Sequence, residues 1–139
     1  MMPNNIHYLY NSKTGIELIF CDNSTISYPL HNHVSVLTIG IVLGGSIVLT
    51  TNNEVKTYEK NQTFVIFPYM PHSISAHSSY TLLSLCIDKN AVTQYATDII
   101  RNNAAALLMN ALSTEKINQY QILQLLNCLN LLVDYSDCY

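Results

Sequence analysis

Two periodicities divide the chain. From about residue 6 to residue 88, short apolar runs rich in Val, Ile, Thr, Tyr and Phe alternate with turn residues, the pattern of β-strands. Ile16–Cys21 is a strand candidate closed by Asp22-Asn23-Ser24, and Val34–Leu43 is a long run ending at Gly44-Gly45. Ser46–Thr51 and Glu54–Tyr58 flank Asn52-Asn53, a hairpin signal because Asn tolerates the positive φ of tight turns. Thr63–Phe67, Ser73–His77 and Tyr80–Ile87 complete a set of strands suited to a barrel or sandwich.

Beyond Asp88 the period becomes helical. Val92, Tyr95, Ala96, Ile99 and Ile100 predict a helix to about Met109, with Asp88 or Asn90 as N-cap. After a link at Asn110–Thr114, a second helix is predicted from about Glu115 to Asp134. Its Ile122, Leu125, Leu126, Leu129, Leu132 and Val133 share about 120° of arc, one face for docking on the barrel. Ile117, Tyr120, Leu123 and Leu131 fall elsewhere on that helix, so a second apolar patch predicts a homodimer. The alternative is that both stripes are internal. These patterns divide the chain into a β unit over 1–88 and a helical unit over 89–139.

Composition narrows the function. Of 139 residues, 49% are apolar and 11% charged, which excludes a disordered chain. Six scattered Lys and Arg residues make no basic stripe for nucleic acid. No apolar run reaches the length of a membrane-spanning helix, and Met1–Asn5 has no signal-peptide character. Four cysteines without Cys-x-x-Cys spacing read as free thiols of a cytoplasmic protein. Residues 23–53 contain no Asp, Glu, Lys or Arg, as expected of strands covered on both faces or lining a cavity.

The chemically suggestive residues are His31, His33, His72 and His77. His31 and His33 are two apart, so on one strand they share a face, and His72 is a candidate third imidazole for a metal. The simpler reading is strand-end histidines bonded to backbone or water. No nucleophile elbow and no glycine-rich phosphate loop is present. The carboxylates Asp22, Glu54, Glu59 and Asp88 fall at turns or strand ends. No enzyme activity is therefore expected.

Tyr28-Pro29-Leu30-His31-Asn32-His33, Gly44-Gly45, the segment Phe64–Ser73 and the strand to Ile87-Asp88 together resemble a cupin barrel. More narrowly, about residues 28–134 resemble the N-terminal effector-binding domain of AraC/XylS-type transcription regulators. The resemblance implies a mainly β fold: a cupin-like antiparallel barrel of double-stranded β-helix (jelly-roll) type, followed by two α-helices. It also implies effector sensing, dimerisation through the second helix, and DNA binding by a helix-turn-helix domain downstream. The chain then reads as an excised part of a longer regulator, with a free-standing domain as the alternative. The Glu that metal-binding cupins place four residues after the second His is Leu37 here, and the turn glycine is Tyr69. No metal or other cofactor is therefore expected; His31, His33 and His72 would be the ligands if one bound.

If His31 and His33 face inward on an unbroken strand, Ser35, Leu37, Ile39, Ile41 and Leu43 do too, and His72 carries Ile74 and Ala76 inward. The expected pocket is thus His31, His33, Ser35, Leu37, Ile39, Ile41, His72 and Ile74, suited to a small apolar or weakly polar effector. An ordinary packed core is the alternative reading. The arm with His7, Tyr8 and Tyr10 is expected to fold over the mouth. A stand-alone metal-dependent small cupin enzyme, or a small-molecule-binding cupin, is the runner-up function.

Overall fold

The computed structural model describes residues 6–31, 35–52, 54–94, 97–111 and 116–129. Nine strands come first: β1 (Ile6–Asn11), β2 (Ile16–Ser24), β3 (Tyr28–His31), β4 (Val36–Gly44), β5 (Ser46–Thr51), β6 (Glu54–Glu59), β7 (Thr63–Ile66), β8 (His72–Ser75) and β9 (Tyr80–Asp88). Three helices follow: α1 (Lys89–Gln94), α2 (Thr97–Ala111) and α3 (Gln119–Cys128). One sheet has the order β1-β2-β9-β4-β7 and the other β3-β8-β5-β6. Every pairing is antiparallel. From β2 onward the chain crosses between the sheets repeatedly, and only the β5–β6 hairpin stays within one. This is the expected jelly-roll architecture.

Several links between strands use residues that accept left-handed backbone. Gly45 (φ +69°) passes the chain from β4 to β5, and a Cβ there would lie 2.4 Å from the Ser79 carbonyl oxygen, so only glycine fits. Asn52 and Asn61 take positive φ in the turns that follow β5 and β6.

The five-stranded sheet is buried on both sides. One face carries Ile16, Leu18, Phe20, Leu37, Ile39, Ile41, Leu83, Leu85 and Ile87 and packs under the helices. Ile100, Ala104 and Leu108 of α2, spaced four apart, and Leu125 and Leu126 of α3 close this core. The opposite face turns toward the four-stranded sheet. There Cys21, Val42, Phe64, Ile66, Tyr80 and Leu82 meet Ile47, Leu49 and Ile74 in a second core. Double burial of β4 accounts for the middle of the charge-free tract over residues 23–53.

Helix boundaries differ from the periodicity in informative ways. The Asp88 carboxylate accepts from the Asn90 N–H at 2.8 Å, so Asp88 does cap the helical segment. The first predicted helix covers α1 and α2, and residues 95–96 between them lie outside the described residues. The second begins at Gln119, four residues later than expected, because Asn118 is its N-cap: Asn118 Oδ1 accepts from Gln121 N and Gln121 Oε1 accepts from Asn118 N. Ile117 therefore lies before the cap and has no place on the helical wheel. It is buried in the helix-facing core together with Ile122, the two positions of a hydrophobic staple. That corrects its expected place at a dimer surface. Leu125, Leu126 and Leu129 dock on the barrel as predicted, whereas Leu131, Leu132 and Val133 lie outside the described residues.

Candidate functional site

Register and alternation define what the barrel interior presents. Ile6, Cys21, Leu82 and Val42 stand side by side on β1, β2, β9 and β4 and belong to the inter-sheet core. Side chains two residues along each strand share that face. The next row is Tyr8, Ile19, Ser84, Gly40 and Phe64; the one after is Tyr10, Glu17, Cys86, Thr38 and Ile66. The inner face thus grades from apolar at one end to polar at the other.

Gly40 makes room in the middle row for the Phe64 ring. A Cβ at Gly40 would fall 2.2 Å from the tip of the Phe64 ring, which lies across its neighbour and meets Tyr58 at 5.4 Å between centroids. The polar row is interactive. Thr38 Oγ1 and Cys86 Sγ are 3.8 Å apart, and burial, partly offset by the Thr38 hydroxyl, pushes the Cys86 thiol up to about 11. The Glu17 charge pushes the same way, which places that carboxylate beside Cys86.

The four-stranded sheet adds the histidine pair. His31 and His72 are partners in register between β3 and β8, with ring centroids 4.2 Å apart. His72 is 2% exposed and lies opposite Thr51. Its Nδ1 is 2.9 Å from the Met70 carbonyl, and His31 Nδ1 is 2.6 Å from the Pro29 carbonyl. A carbonyl only accepts, so each Nδ1 carries a proton and the opposite Nε2 of a neutral ring is an acceptor. Burial lowers the His72 pKa against the lift of the Met70 hydrogen bond, and His31 lowers it further, so the neutral ring is favoured. The turn before β8 holds Tyr69 at φ +68°, where the resembled motif has glycine, and Lys89 donates to its hydroxyl at 3.0 Å.

Of the predicted pocket, the structure brings His31, His72 and Ile74 together on the inner side. His33 lies outside the described residues, and Ser35 lies before β4, its carbonyl accepting from Lys89 N. Leu37, Ile39 and Ile41 are not with the histidines: they are fully buried against the helices. The predicted alternation assumed one strand from His31 to Leu43, but β3 and β4 are separate strands in different sheets, so the parity does not carry across. The inward residues of β4 are Thr38, Gly40 and Val42. The arm is β1, paired along β2 at the sheet edge. Glu17 was missed altogether; the alternation Glu17, Ile19, Cys21 was the available signal.

Among the described residues no group of three His, Cys, Asp or Glu side chains can hold a metal ion. The acidic ligand position of metal-binding cupins is Leu37, which faces the helices. Among the described residues, no helix is long and apolar enough to cross a membrane. Outside the barrel, a groove of about 540 Å³ opens where the sheet ends meet the start of α3, bordered by Asp22, Lys60, Lys116 and Gln121.

A family model described as the AraC-like ligand binding domain matches residues 13–134, and the chain belongs to that family. Its fold is similar to the Schizosaccharomyces pombe Cnp3 cupin domain (13% identity, TM-score 0.53, 61% of this chain and 64% of that chain). It is also similar to a cupin-2 domain containing protein from Shewanella frigidimarina (12%, 0.52, 61% and 81%). An HTH_3 family transcriptional regulator from Vibrio cholerae is similar over 63% of this chain and 54% of that one (17%, 0.50). The chain thus spans less than two-thirds of the Cnp3 and Vibrio chains. No curated protein matches the sequence.

Proposed function

We propose that this domain is the effector-sensing and dimerisation unit of a cytoplasmic AraC/XylS-like transcription regulator and has no enzymatic activity of its own. DNA binding is assigned to a separate helix-turn-helix domain. The observation that carries the reading is the graded inner face of a chain that belongs to the AraC-like ligand binding domain family. Interiors made only for stability avoid half-buried polar side chains. Here Glu17, Thr38, Ser84 and Cys86 share a face with an apolar floor. A few convergent polar groups over an apolar surface are the usual make-up of a small-molecule site. The effector is a small molecule with an apolar body.

Helix α3 supports the dimer. Tyr120 is 62% and Leu123 48% exposed, three residues apart on the face away from the core. The same helix is tied to the barrel: Gln121 Nε2 donates to Asn61 Oδ1 at 2.7 Å, Gln124 Nε2 donates to the Asn61 carbonyl at 2.8 Å, and Lys116 pairs with Asp22. Asn61 N in turn donates to the Val42 carbonyl at 2.7 Å, on the strand that carries Thr38 and Gly40. An effector that shifts β4 therefore has a route to the dimerising helix.

The test is a thermal-shift screen of small metabolites on the wild type and on Ser84→Leu, which fills the middle row. A ligand at 100 times its Kd adds about 2.7 kcal/mol of stability. The expected result is a stabilising ligand whose effect disappears in Ser84→Leu while the variant stays folded. Stabilisation that survives in the variant refutes the inner-face site. Stoichiometric metal retained by untagged protein, with turnover, would establish the metal-dependent cupin enzyme instead.

A further inference from the structure

We propose that the open inner face of β1 and β2 recognises a small organic cation, with the Glu17 carboxylate as counter-ion and the Tyr8 and Tyr10 rings as an aromatic wall. This rests on the inner face being the effector surface and names the class of ligand it takes.

Placement comes from register. Tyr10 is directly opposite Glu17, and Tyr8 is opposite Ile19. The direction of this face is fixed at two neighbouring pairs. Ile6 and Cys21 both belong to the inter-sheet core, whereas His7 and Phe20, the alternate pair, stack at 6.1 Å on the other side. Tyr8, Tyr10 and Glu17 are thus on the inner side. Cross-strand neighbours on one face stand about 5 Å apart, close enough to act on one ligand.

The charge balance selects the sign. Glu17 is half-buried, and among the described residues the ion pair present is Lys116–Asp22, at the opposite end of β2. The inner positions of β1, β2, β4, β7 and β9 hold no Lys or Arg. Asp88, the other acid on this face, already caps α1. A half-buried carboxylate without a fixed cation favours a ligand that brings one.

The aromatic wall selects the kind of cation. Tyr8 is 64% and Tyr10 62% exposed, although both are large aromatic side chains on an edge strand. Rings flanking a carboxylate attract an ammonium through the face of the π-system and suit alkylated nitrogen better than a hydrated metal ion. Ile19, half-buried and two residues from Glu17 on the same face, offers an apolar contact to an alkyl body. The ligand class is an amine or quaternary ammonium with an apolar tail.

Calorimetric titration of the whole domain tests this with n-butylammonium and choline against their neutral counterparts, n-butanol and dimethylbutanol. Both cations are expected to bind saturably, the alcohols at least about tenfold more weakly. Glu17→Gln is expected to weaken both cations about tenfold and leave the alcohols unchanged, and Tyr10→Leu to weaken choline. Glu59→Gln, an exposed acid on β6, serves as the control and is expected to change nothing. Circular dichroism of each variant establishes that it is folded. Equal affinity for cation and alcohol, or cation binding unchanged in Glu17→Gln, overturns the cation class and leaves the effector surface standing. Absence of binding by both cations overturns the cation site, while the thermal-shift screen with Ser84→Leu decides separately whether the inner face takes another ligand.

Discussion

Replacing Gly40 by Ala tests the packing of the Phe64 ring over the middle of the inner face. The added methyl would lie 2.2 Å from the Phe64 ring tip and 2.6 and 2.8 Å from the two adjacent ring carbons. Phe64 is 4% exposed and held beside Tyr58, so the ring has little room to retreat. Overpacking of this kind costs about 1–3 kcal/mol. Against it stands the gain of about 0.4–1 kcal/mol from removing a glycine's freedom in the unfolded chain. The expected net effect is a loss of about 0.5–2 kcal/mol in urea or thermal denaturation. The sign alone is diagnostic, because an unobstructed strand glycine is stabilised by Ala. Phe64→Leu removes the obstructing ring carbons, so the double variant is expected to be more stable than the sum of the single changes by at least about 1 kcal/mol. A stabilising Gly40→Ala, or additivity of the two changes, would refute the placement of Phe64 over Gly40.

Further predictions concern the core, the joint, the pH response and the dimer. Leu125→Ala, at a fully buried position between α3 and the sheet, is expected to cost about 2–5 kcal/mol in the same denaturation assay. Gln121→Ala breaks both the capping box and the bond to Asn61, and a loss of about 1–3 kcal/mol is expected, with hydrogen exchange rising first in α3. His72 has a folded pKa below its ordinary value of 6.5, so the unfolded chain binds its proton first. Its contribution is fully present above pH 6.5 and is lost as pH falls toward the folded pKa; a pH–stability profile of His72→Gln should lack that loss. Tyr120→Glu with Leu123→Glu is expected to halve the sedimenting mass at micromolar concentration, and an unchanged mass would remove α3 from the dimer contact.

Most of the architecture was legible because strands and turns announce themselves locally. Ser46–Thr51 was read with the right limits, and the boundaries of β2, β4, β6, β7 and β9 lay close to those found. What failed was everything that needed knowledge of a long-range break. Parity from His31 to Ile41 was sound on one strand but was interrupted where the chain changes sheets. Ile117 looked like a wheel position until Asn118 proved to be the cap. β1 and β3 were not resolved as strands, since β1 is largely exposed at an edge and β3 spans four residues with a proline. Glu17 was readable from the strict alternation of β2, yet the meaning of a lone carboxylate depends on Tyr10 and Cys86 across two strand pairs, which no local pattern places.

An effector seated between the sheets, at the polar end of the inner face, would perturb the backbone amides that line it. Backbone amide mapping by NMR during titration with a stabilising ligand tests this placement most directly. Saturable shifts are expected to cluster at Glu17, Thr38, Ser84, Cys86 and His72, with weaker changes reaching Asn61 and Gln121. Shifts confined to the outer groove at Asp22, Lys60 and Lys116, with the inner rows unmoved, would contradict it.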